Sequence, residues 1–289
     1  MEEPYVATTQ HTPQGVRWLR VMERTLSFLA KISLVYAFGR QQALRIQIVK
    51  RDVPIKNLSQ ALDGLRILQV SDLHLDRDSR ITAALIKKLD GLDYDLVVLT
   101  GDYRSRTLNS EIVAIQRMSN LVPHFKAPVF GILGNHDNLA MIPPLEAMGI
   151  QLLVNESAFF EHNGEKLYLA GVDDPHHYKL DDIKQACAQI PPGACTILLS
   201  HSPGNFREAA DLGIPMMLAG HTHGGQVCTP WGKPIQTNTQ SISSAQFSGS
   251  WSYNGLQGYT SRGVGCCGVP VRLFCPPEIT IHTLRKQTP

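Results

Sequence analysis

Residues 65–74 read LRILQVSDLH, an apolar run that passes directly into two polar side chains, Asp72 and His74. A short apolar run rich in branched residues is typical of a buried β-strand. Side chains two positions apart on an extended segment project to the same side, so this carboxylate and this imidazole can grip one divalent ion. Alone, such a pair is a weak signal, because most pairs of this kind lie in surface turns.

The same order, an apolar run followed by polar side chains, recurs four more times along the chain. These runs lie at 95–100, 129–133, 196–199 and 216–219. The polar residues that follow them are, in order, Asp102; Asn135, His136 and Asp137; His201; and His221 with His223. Ligands of open α/β sheets bind beyond the carboxyl ends of the strands. Five such placements predict that these side chains meet in one site at that edge.

The rest of the pattern predicts strands that alternate with helices. Helices are expected at roughly 80–90, 109–121, 181–189 and 205–212, and further strands at 44–48, 271–274 and 279–284. Asn163-Gly164 lies between two apolar runs and predicts a hairpin. Strands with crossover helices, together with hairpins, favour an α/β layered sandwich with a mixed sheet.

Composition narrows the class of protein. The 289 residues are 43% apolar, which allows a sizeable core and excludes wholesale disorder. The net charge of +2 makes nucleic acid an unexpected partner. None of the six cysteines forms a CxxC pair, which favours reduced thiols in a reducing compartment.

The first 51 residues are basic, with eight Lys/Arg against three acidic residues. Over 17–36 the apolar and aromatic side chains share one helical arc and the bases share the opposite one, which is typical of an interfacial helix. Packing of this helix on its own domain is the alternative. No apolar signal-peptide core precedes it, so we expect a cytoplasmic protein, peripheral on the inner face of the cell membrane. The expected division is a tail and amphipathic helix at 1–43 and a catalytic domain at 44–289.

The types of candidate ligand narrow the choice of metal. Oxygen and nitrogen ligands without thiolates suit Mn, Fe or Zn rather than Ca. The set is too large for one tetrahedral ion, and Asp102 can bridge two ions about 3.5–4 Å apart. Two aspartates only partly neutralise two divalent ions, so the remaining positive charge attracts phosphate.

Together, the patterns D-x-H, G-D, G-N-H-D, H and G-H-x-H over 72–223 resemble the calcineurin-like metallophosphoesterase superfamily. The segments SDLHL at 71–75, GHTHGGQ at 220–226, RGVG at 262–265 and PEIT at 277–280 are similar to its bacterial YaeI/YkuE-type phosphodiesterase branch. That branch includes membrane-associated enzymes and a relative that cleaves UDP-2,3-diacylglucosamine in lipid A biosynthesis.

The resemblance implies a four-layer αββα sandwich around two divalent ions, with Mn expected and Fe or Zn as alternatives. One ion would be held by Asp72, His74, Asp102 and His223, and the other by Asp102, Asn135, His201 and His221. A hydroxide bridging the metals would attack phosphorus in line. His136 would be the catalytic histidine, stabilising the transition state or protonating the leaving oxygen.

One position departs from the family pattern. Phosphatase members carry a second Asp three positions after the bridging one, where it pairs with the catalytic histidine, but Ser105 stands there in this chain. We therefore expect Asp137 or a backbone carbonyl to orient His136. The departure weakens a protein-phosphatase function and leaves diester or pyrophosphate cleavage intact.

Two further features are candidates for substrate contact. The arginines expected to hold phosphate oxygens are Arg104, Arg106 and Arg262, with solvated surface arginines as the alternative. The polar segment 226–258 is expected to form a lid or a substrate-shaping loop, with a disordered insertion as the alternative.

Three functions remain open at this point. The first is a dimetal phosphodiesterase or pyrophosphohydrolase that acts on a lipid-nucleotide such as UDP-2,3-diacylglucosamine at a membrane surface. The second is a soluble phosphodiesterase of generic small substrates. The third is a non-catalytic scaffold, which the complete set of expected ligands disfavours. No protein partner is expected.

Overall fold

The computed structural model describes residues 34–107, 110–235, 237 and 242–287. Within that part of the chain, none of the helices has the length and apolar character needed to cross a bilayer. Most of the amphipathic helix expected at 17–36 lies outside the described residues. Its described end belongs to helix α1 (Leu34–Gln42), which continues beyond the predicted boundary.

Twelve strands of the described chain form two six-stranded sheets. The first sheet has the order β1-β12-β2-β3-β4-β5 and comprises β1 (Gln47–Ile55), β12 (Glu278–Lys286), β2 (Arg66–Val70), β3 (Leu96–Thr100), β4 (Val129–Ile132) and β5 (Ile150–Leu152). The second has the order β10-β11-β9-β8-β7-β6 and comprises β10 (Gly249–Tyr253), β11 (Leu256–Thr260), β9 (Met216–Ala219), β8 (Thr196–Leu199), β7 (Glu165–Gly171) and β6 (Glu156–His162). Both sheets are mixed. In the first sheet β12 pairs antiparallel with β2, and in the second sheet the antiparallel hairpins β6–β7 and β10–β11 form the two edges.

The α-helices that follow α1 lie between strands in sequence, and all but the one at Ile142–Glu146 fall at the predicted positions. After α1 they are α2 (Ser79–Leu89), α3 (Ile112–Leu121), α4 (Ile142–Glu146), α5 (Ile183–Cys187) and α6 (Phe206–Asp211). Short 3-10 turns lie at Gln60–Leu62, Val122–His124, Leu139–Met141, Pro203–Asn205 and His223–Gly225. Asp78 caps the first turn of α2 by accepting a hydrogen bond from the backbone N–H of Arg80 at 3.1 Å.

Successive side chains of a strand face opposite sides of its sheet, and this alternation produces the layers of the fold. Ile67 of β2 packs between the two sheets, against residues such as Leu169 and Leu218 of the second sheet. Its neighbour Leu68 faces the opposite side, where it joins a core with Ile81 of α2. A third core covers the outer face of the second sheet with α5 and α6. The order helix–sheet–sheet–helix confirms the expected αββα architecture.

Two of the predicted strands differ from the sequence-based expectation. The strand expected at 44–48 is β1 at Gln47–Ile55, because its pairing with β12 continues to Lys286. Residues 271–274 do not form a strand. The Val271 side chain packs against Gly39 of α1, and Leu273 makes an isolated bridge with Val227.

The segment 226–258 is not one loop. Its last part forms β10 and the beginning of β11, an antiparallel hairpin on the second sheet. Trp251 anchors this hairpin, because its ring lies edge-on to Phe206 at 5.7 Å and packs over Gly258, which has no side chain to obstruct it. Residues 236 and 238–241 of the predicted lid lie outside the described residues.

Candidate metal centre

The polar clusters follow strands β2, β3, β4, β8 and β9, at the carboxyl ends where the two sheets adjoin. The backbone there is held in an uncommon conformation, with φ of 52° at Asp72, 41° at His74, 58° at Asp102, 72° at His221 and 52° at His223. Positive φ is costly for residues other than glycine and is found where a site demands it. The fold therefore holds these five residues in a strained backbone conformation, which directs their side chains toward one another.

Two glycines let the clusters approach each other. A Cβ atom at Gly134 would overlap the carboxylate of Asp102. A Cβ atom at Gly220 would overlap the hydroxyl of Ser71 and crowd the carboxylate of Asp72. Glycine is needed at both positions because the backbone itself passes next to the aspartates.

Seven side chains form one connected cluster. Nε2 of His223 lies 3.6 Å from Oδ1 of Asp72 and 2.9 Å from Nε2 of His74. Nε2 of His74 is 3.6 Å from Oδ2 of Asp102. That oxygen is in turn 3.4 Å from Nε2 of His201. Asp102 thus lies between two groups of histidines.

Asn135 completes the second group. Its Oδ1 atom lies 3.0 Å from Nε2 of His201 and 2.8 Å from Nδ1 of His221. Two sets of side chains have ligand atoms within 4.8 Å of one another and could each hold an ion: Asp72, His74 and His223; and Asp72, Asp102 and His201. The structure therefore brings all seven predicted residues together, while their roles as ligands stay a prediction.

Hydrogen bonds at the rear of two histidines define which nitrogen faces the centre. Nδ1 of His74 donates to the carbonyl of Arg104 at 2.8 Å, and Nδ1 of His201 donates to the carbonyl of Thr100 at 2.7 Å. A carbonyl oxygen only accepts, so Nε2 of the neutral His74 ring carries a lone pair, and Nε2 of His201 carries one once that ring has lost its second proton. Nε2 of His74, the carboxylates of Asp72 and Asp102 and the amide oxygen of Asn135 then offer lone pairs to the same centre. This donor set fits divalent cations.

Burial and mutual charge shift the pKa values of these groups. Burial raises the pKa of Asp72 to about 6 and lowers that of His74 to about 4. Burial also holds the pKa of His221 and His223 well below the usual value. His201 behaves differently, because the neighbouring Asp102 carboxylate outweighs burial and raises its pKa to about 10. Most of the imidazoles are therefore neutral at pH 7, as metal ligation requires.

His136 lies at the edge of the cluster. Its Nε2 atom is 4.0 Å from Oδ2 of Asp102, and its side chain is 24% exposed while that of His74 is fully buried. Its backbone N–H donates to Oδ1 of Asp102 at 2.9 Å, and its carbonyl accepts from Nε of Arg104 at 2.5 Å. An imidazole that is held by its backbone and open on one side can meet a bound substrate.

The expectation that Asp137 or a backbone carbonyl orients His136 is wrong. Among the described residues, Nδ1 of His136 has no hydrogen-bond partner. The Asp137 carboxylate instead accepts from the backbone N–H groups of Asp102 at 2.7 Å, Gly134 at 2.9 Å and Tyr103 at 3.0 Å. These three donors compete for the whole carboxylate, so Asp137 ties together the loops after β3 and β4.

Ser105 takes part in a different contact. Its backbone N–H and its hydroxyl each donate to Asp76 at 2.7 Å. This pair joins the loop after β3 to the loop after β2. The position that carries an Asp in the phosphatases therefore serves loop structure in this chain.

The predicted substrate arginines Arg104 and Arg262 contact protein groups. Arg104 is buried, with Nε on the carbonyl of His136 and Nη1 3.6 Å from Glu111. Nε of Arg262 donates to the buried carboxylate of Glu278 at 2.6 Å. Arg106 is half-buried. Binding of phosphate by these arginines stays a prediction.

The sequence-based argument missed two residues of the site. The ring of His176 lies 4.3 Å from that of His221, on the loop that follows β7. The strand-end rule could have found it, since Asp174 at the start of this loop is buried and accepts from the backbone N–H of His176. The second is Arg272, whose buried guanidinium donates to the carbonyl of His223 at 3.0 Å. A single arginine within a predicted strand offered no signal.

Comparison with known proteins adds to this geometry. A family model for calcineurin-like phosphoesterases matches residues 65–225. The uncharacterized protein YpbG of Bacillus subtilis is 30% identical over 229 residues, which cover 76% of this chain and 81% of YpbG.

Two relatives have names that state an activity. The phosphodiesterase YaeI of Escherichia coli is 28% identical over 231 residues, covering 76% of this chain and 82% of YaeI. The UDP-2,3-diacylglucosamine pyrophosphatase LpxG of Chlamydia muridarum is 26% identical over 278 residues, covering 76% of this chain and 83% of LpxG. Since the family match also spans more than half of the chain, this protein belongs to the calcineurin-like phosphoesterases, which are metal-dependent hydrolases of phosphoester bonds.

Proposed function

We propose that the chain hydrolyses a phosphodiester or pyrophosphate bond in a lipid-linked nucleotide such as UDP-2,3-diacylglucosamine, at a membrane surface. The observation that carries the proposal is the connected cluster of seven side chains in which Asp102 separates two groups of histidines. This arrangement suits two divalent cations, for which we propose Mn, with Fe or Zn as alternatives.

Charge favours a phosphate substrate. Asp72 and Asp102 are the two carboxylates of the cluster, and the histidines that surround them are mostly neutral. Two divalent cations, when bound, supply more positive charge than these two carboxylates neutralise, and they acidify water. The surplus charge attracts a phosphate group to the carboxyl ends of the strands.

The chain's own residues then orient the reaction. His74 and His201 are held in place by hydrogen bonds to the carbonyl oxygens of Arg104 and Thr100, so their Nε2 atoms keep a constant direction. His136 is the exposed imidazole beside Asp102, and we assign it the stabilisation or protonation of the leaving oxygen. One water adds to phosphorus, the bridging P–O bond breaks, and the leaving oxygen takes a proton.

The similarity to LpxG supports the lipid-nucleotide as substrate. Hydrolysis of UDP-2,3-diacylglucosamine would yield UMP and an acylated sugar phosphate. Ser105 in place of the second aspartate of the phosphatases disfavours a protein-phosphatase function, because no carboxylate orients His136 from that position.

The test is a substrate screen of the full chain, stripped of metal and reloaded with Mn²⁺, Fe²⁺ or Zn²⁺. We expect cleavage of bis-p-nitrophenyl phosphate and release of UMP from UDP-2,3-diacylglucosamine, both lost in Asp102→Ala. Cleavage of the soluble diester without release of UMP would instead support a diesterase of small substrates. Failure on both substrates with every metal would overturn the proposal.

A further inference from the structure

An exposed apolar surface borders the candidate metal centre. We call it the apolar rim. Its members are large apolar side chains with high exposed fractions: Leu34 (90%), Val35 (58%), Phe38 (47%), Trp231 (84%), Ile235 (67%) and Phe274 (54%). A cluster of exposed aromatic and aliphatic side chains marks a binding surface more often than single exposed residues do.

Backbone contacts show that the segments carrying these side chains are neighbours. The backbone N–H of Arg272 donates to the carbonyl of Gly39 in α1 at 3.0 Å. Further along, Cys228 donates to the carbonyl of Leu273 at 2.9 Å, and Ile235 donates to that of Val227 at 3.0 Å. Helix α1, residues 271–274, residues 226–228 and residues 234–235 therefore lie side by side in that order.

A tight turn carries Trp231 away from the body of the protein. Thr229 donates its backbone N–H to the carbonyl of Lys233 at 2.8 Å, and Gly232 donates to that of Thr229 at 2.9 Å. Trp231 is 84% exposed at the tip of this turn, whereas Trp251 is 7% exposed in the core. Phe274 is also presented outward, in the left-handed conformation with a φ of 51°. Such exposure is costly in water and suits the interface of a bilayer, where an indole ring is stable.

The charge around the rim is one-sided. Neither 24–51 nor 212–277, the two stretches that contribute the rim, contains an Asp or Glu. Lys233 lies exposed in the tryptophan turn, and Arg45 is exposed after α1. The carboxylate of Asp78 lies near the rim, but it is not free. It is paired with Arg40 of α1 at 2.6 Å and also with Arg80. A surface of apolar side chains and bases without free carboxylates complements an anionic lipid face.

The rim is joined to the candidate metal centre. Gly225, two residues after His223, packs directly against Pro234 of the tryptophan turn. Sγ of Cys275, next to Phe274, donates to the carbonyl of His223 at 3.2 Å. A surface on which the rim rests would therefore lie beside the site.

We propose that the apolar rim inserts into the interfacial layer of an anionic bilayer and turns the metal centre toward a substrate carried in that bilayer. This proposal rests on the proposed function for its substrate, but not for the binding itself. The sequence that precedes α1 supports a bilayer as the occupant, because residues 17–33 carry four bases and one acidic residue, Glu23, among apolar side chains. The apolar rim and the basic composition of 17–33 are then two separate signals, in line with the need for two signals in stable membrane attachment.

The experiment is sedimentation of the full chain with vesicles of phosphatidylglycerol and phosphatidylethanolamine, and with vesicles of phosphatidylcholine alone. The test variant is the double substitution Trp231→Ser with Ile235→Ser. The matched control is Ile112→Ser with Leu139→Ser, which removes side chains that are 69% and 60% exposed on other elements. We expect binding of the wild type and the control to anionic vesicles only, and a loss of about tenfold or more in the test variant.

A second measurement locates the inserted side chain. In a Trp18→Phe background, brominated lipid in the anionic vesicles should quench Trp231, since Trp251 is buried. Equal binding of test variant and wild type, absence of quenching, or a dimer in light scattering that the test variant dissolves would each overturn the proposal. Hydrolysis of bis-p-nitrophenyl phosphate by the wild type reports separately on the proposed function. Vesicle binding without hydrolysis of any diester would overturn the proposed function and support the rim.

Discussion

The guanidinium of Arg272 is buried directly behind His223. Its Nη1 donates to the carbonyl oxygen of His223 at 3.0 Å, and its Nη2 lies 3.2 Å from Nδ1 of the same residue. Nη2 also donates to the carbonyl of Arg262 at 2.8 Å, and Nε to that of Gly265 at 3.1 Å. One side chain thus holds the turn that bears His223 against the loop at 262–265, and it acts as a positioning residue.

Replacing Arg272 by methionine leaves several buried carbonyls without a donor. We expect a loss of about 3 kcal/mol or more in the free energy of unfolding, and weaker binding of divalent metal to the apoprotein. Urea denaturation and calorimetric titration with Mn²⁺ measure the two effects. Arg285→Met is the control, since Arg285 is half exposed and paired with Asp52 at the surface. Unchanged metal affinity in Arg272→Met would refute the positioning role.

Asp102→Asn tests the central carboxylate with minimal change of shape. Asparagine keeps an oxygen that can accept the backbone N–H of His136, but it removes the negative charge between the two groups of histidines. We expect metal affinity to fall by about a hundredfold or more, with loss of hydrolysis. Metal content after dialysis measures this. Asp90→Asn, at a side chain that is 89% exposed, should retain the wild-type content. Two equivalents of tightly held metal in Asp102→Asn would contradict the assignment.

His136→Gln separates chemistry from metal binding. The seven clustered side chains do not include His136, so the variant should keep its metal. The rate of diester hydrolysis should fall by about 10²–10⁴-fold, the usual contribution of a general acid or base. Steady-state rates together with metal analysis check this outcome. A wild-type rate would remove His136 from the reaction.

Asp95 gives a prediction for the pH dependence of stability. It accepts hydrogen bonds from the backbone N–H of Arg66 at 2.8 Å and from its Nη2 at 3.0 Å. Partial burial works against the charged form, but the contacts with Arg66 hold the pKa of Asp95 below its usual value. The stabilisation is therefore present above the unfolded pKa of about 3.9 and is lost as the pH falls through the folded pKa.

Asp95→Asn should accordingly lower the free energy of unfolding by about 1 kcal/mol at neutral pH, and by less in acid near the folded pKa. Urea denaturation of the apoprotein across this range provides the measurement. Asp93→Asn changes the other carboxylate on Arg66, which is 80% exposed, and should have a smaller effect. A cost for Asp95→Asn that is independent of pH would show that the charge contributes nothing.

Much of the fold could be predicted because its signals are local. Strands β8 and β9 have the predicted bounds, since each is a short apolar run ended by polar residues. The hairpin at Asn163-Gly164 follows from turn chemistry alone, as Asn163 and Gly164 both adopt positive φ. The prediction of a strand at 271–274 is wrong because Val271 and Leu273 pack against Gly39 of α1 rather than against a sheet.

The sequence by itself determined the α/β layered sandwich and the set of side chains at the strand ends, because hydrophobic periodicity and the position of polar residues after each strand are properties of neighbouring residues. Only the tertiary structure decided the partner of each group. Asp137 binds backbone N–H groups rather than His136, Arg272 lies buried behind His223, and Trp231 is exposed at the surface while Trp251 is buried in the core. These relations join residues far apart in the chain, and they depend on distances and directions that no local pattern encodes.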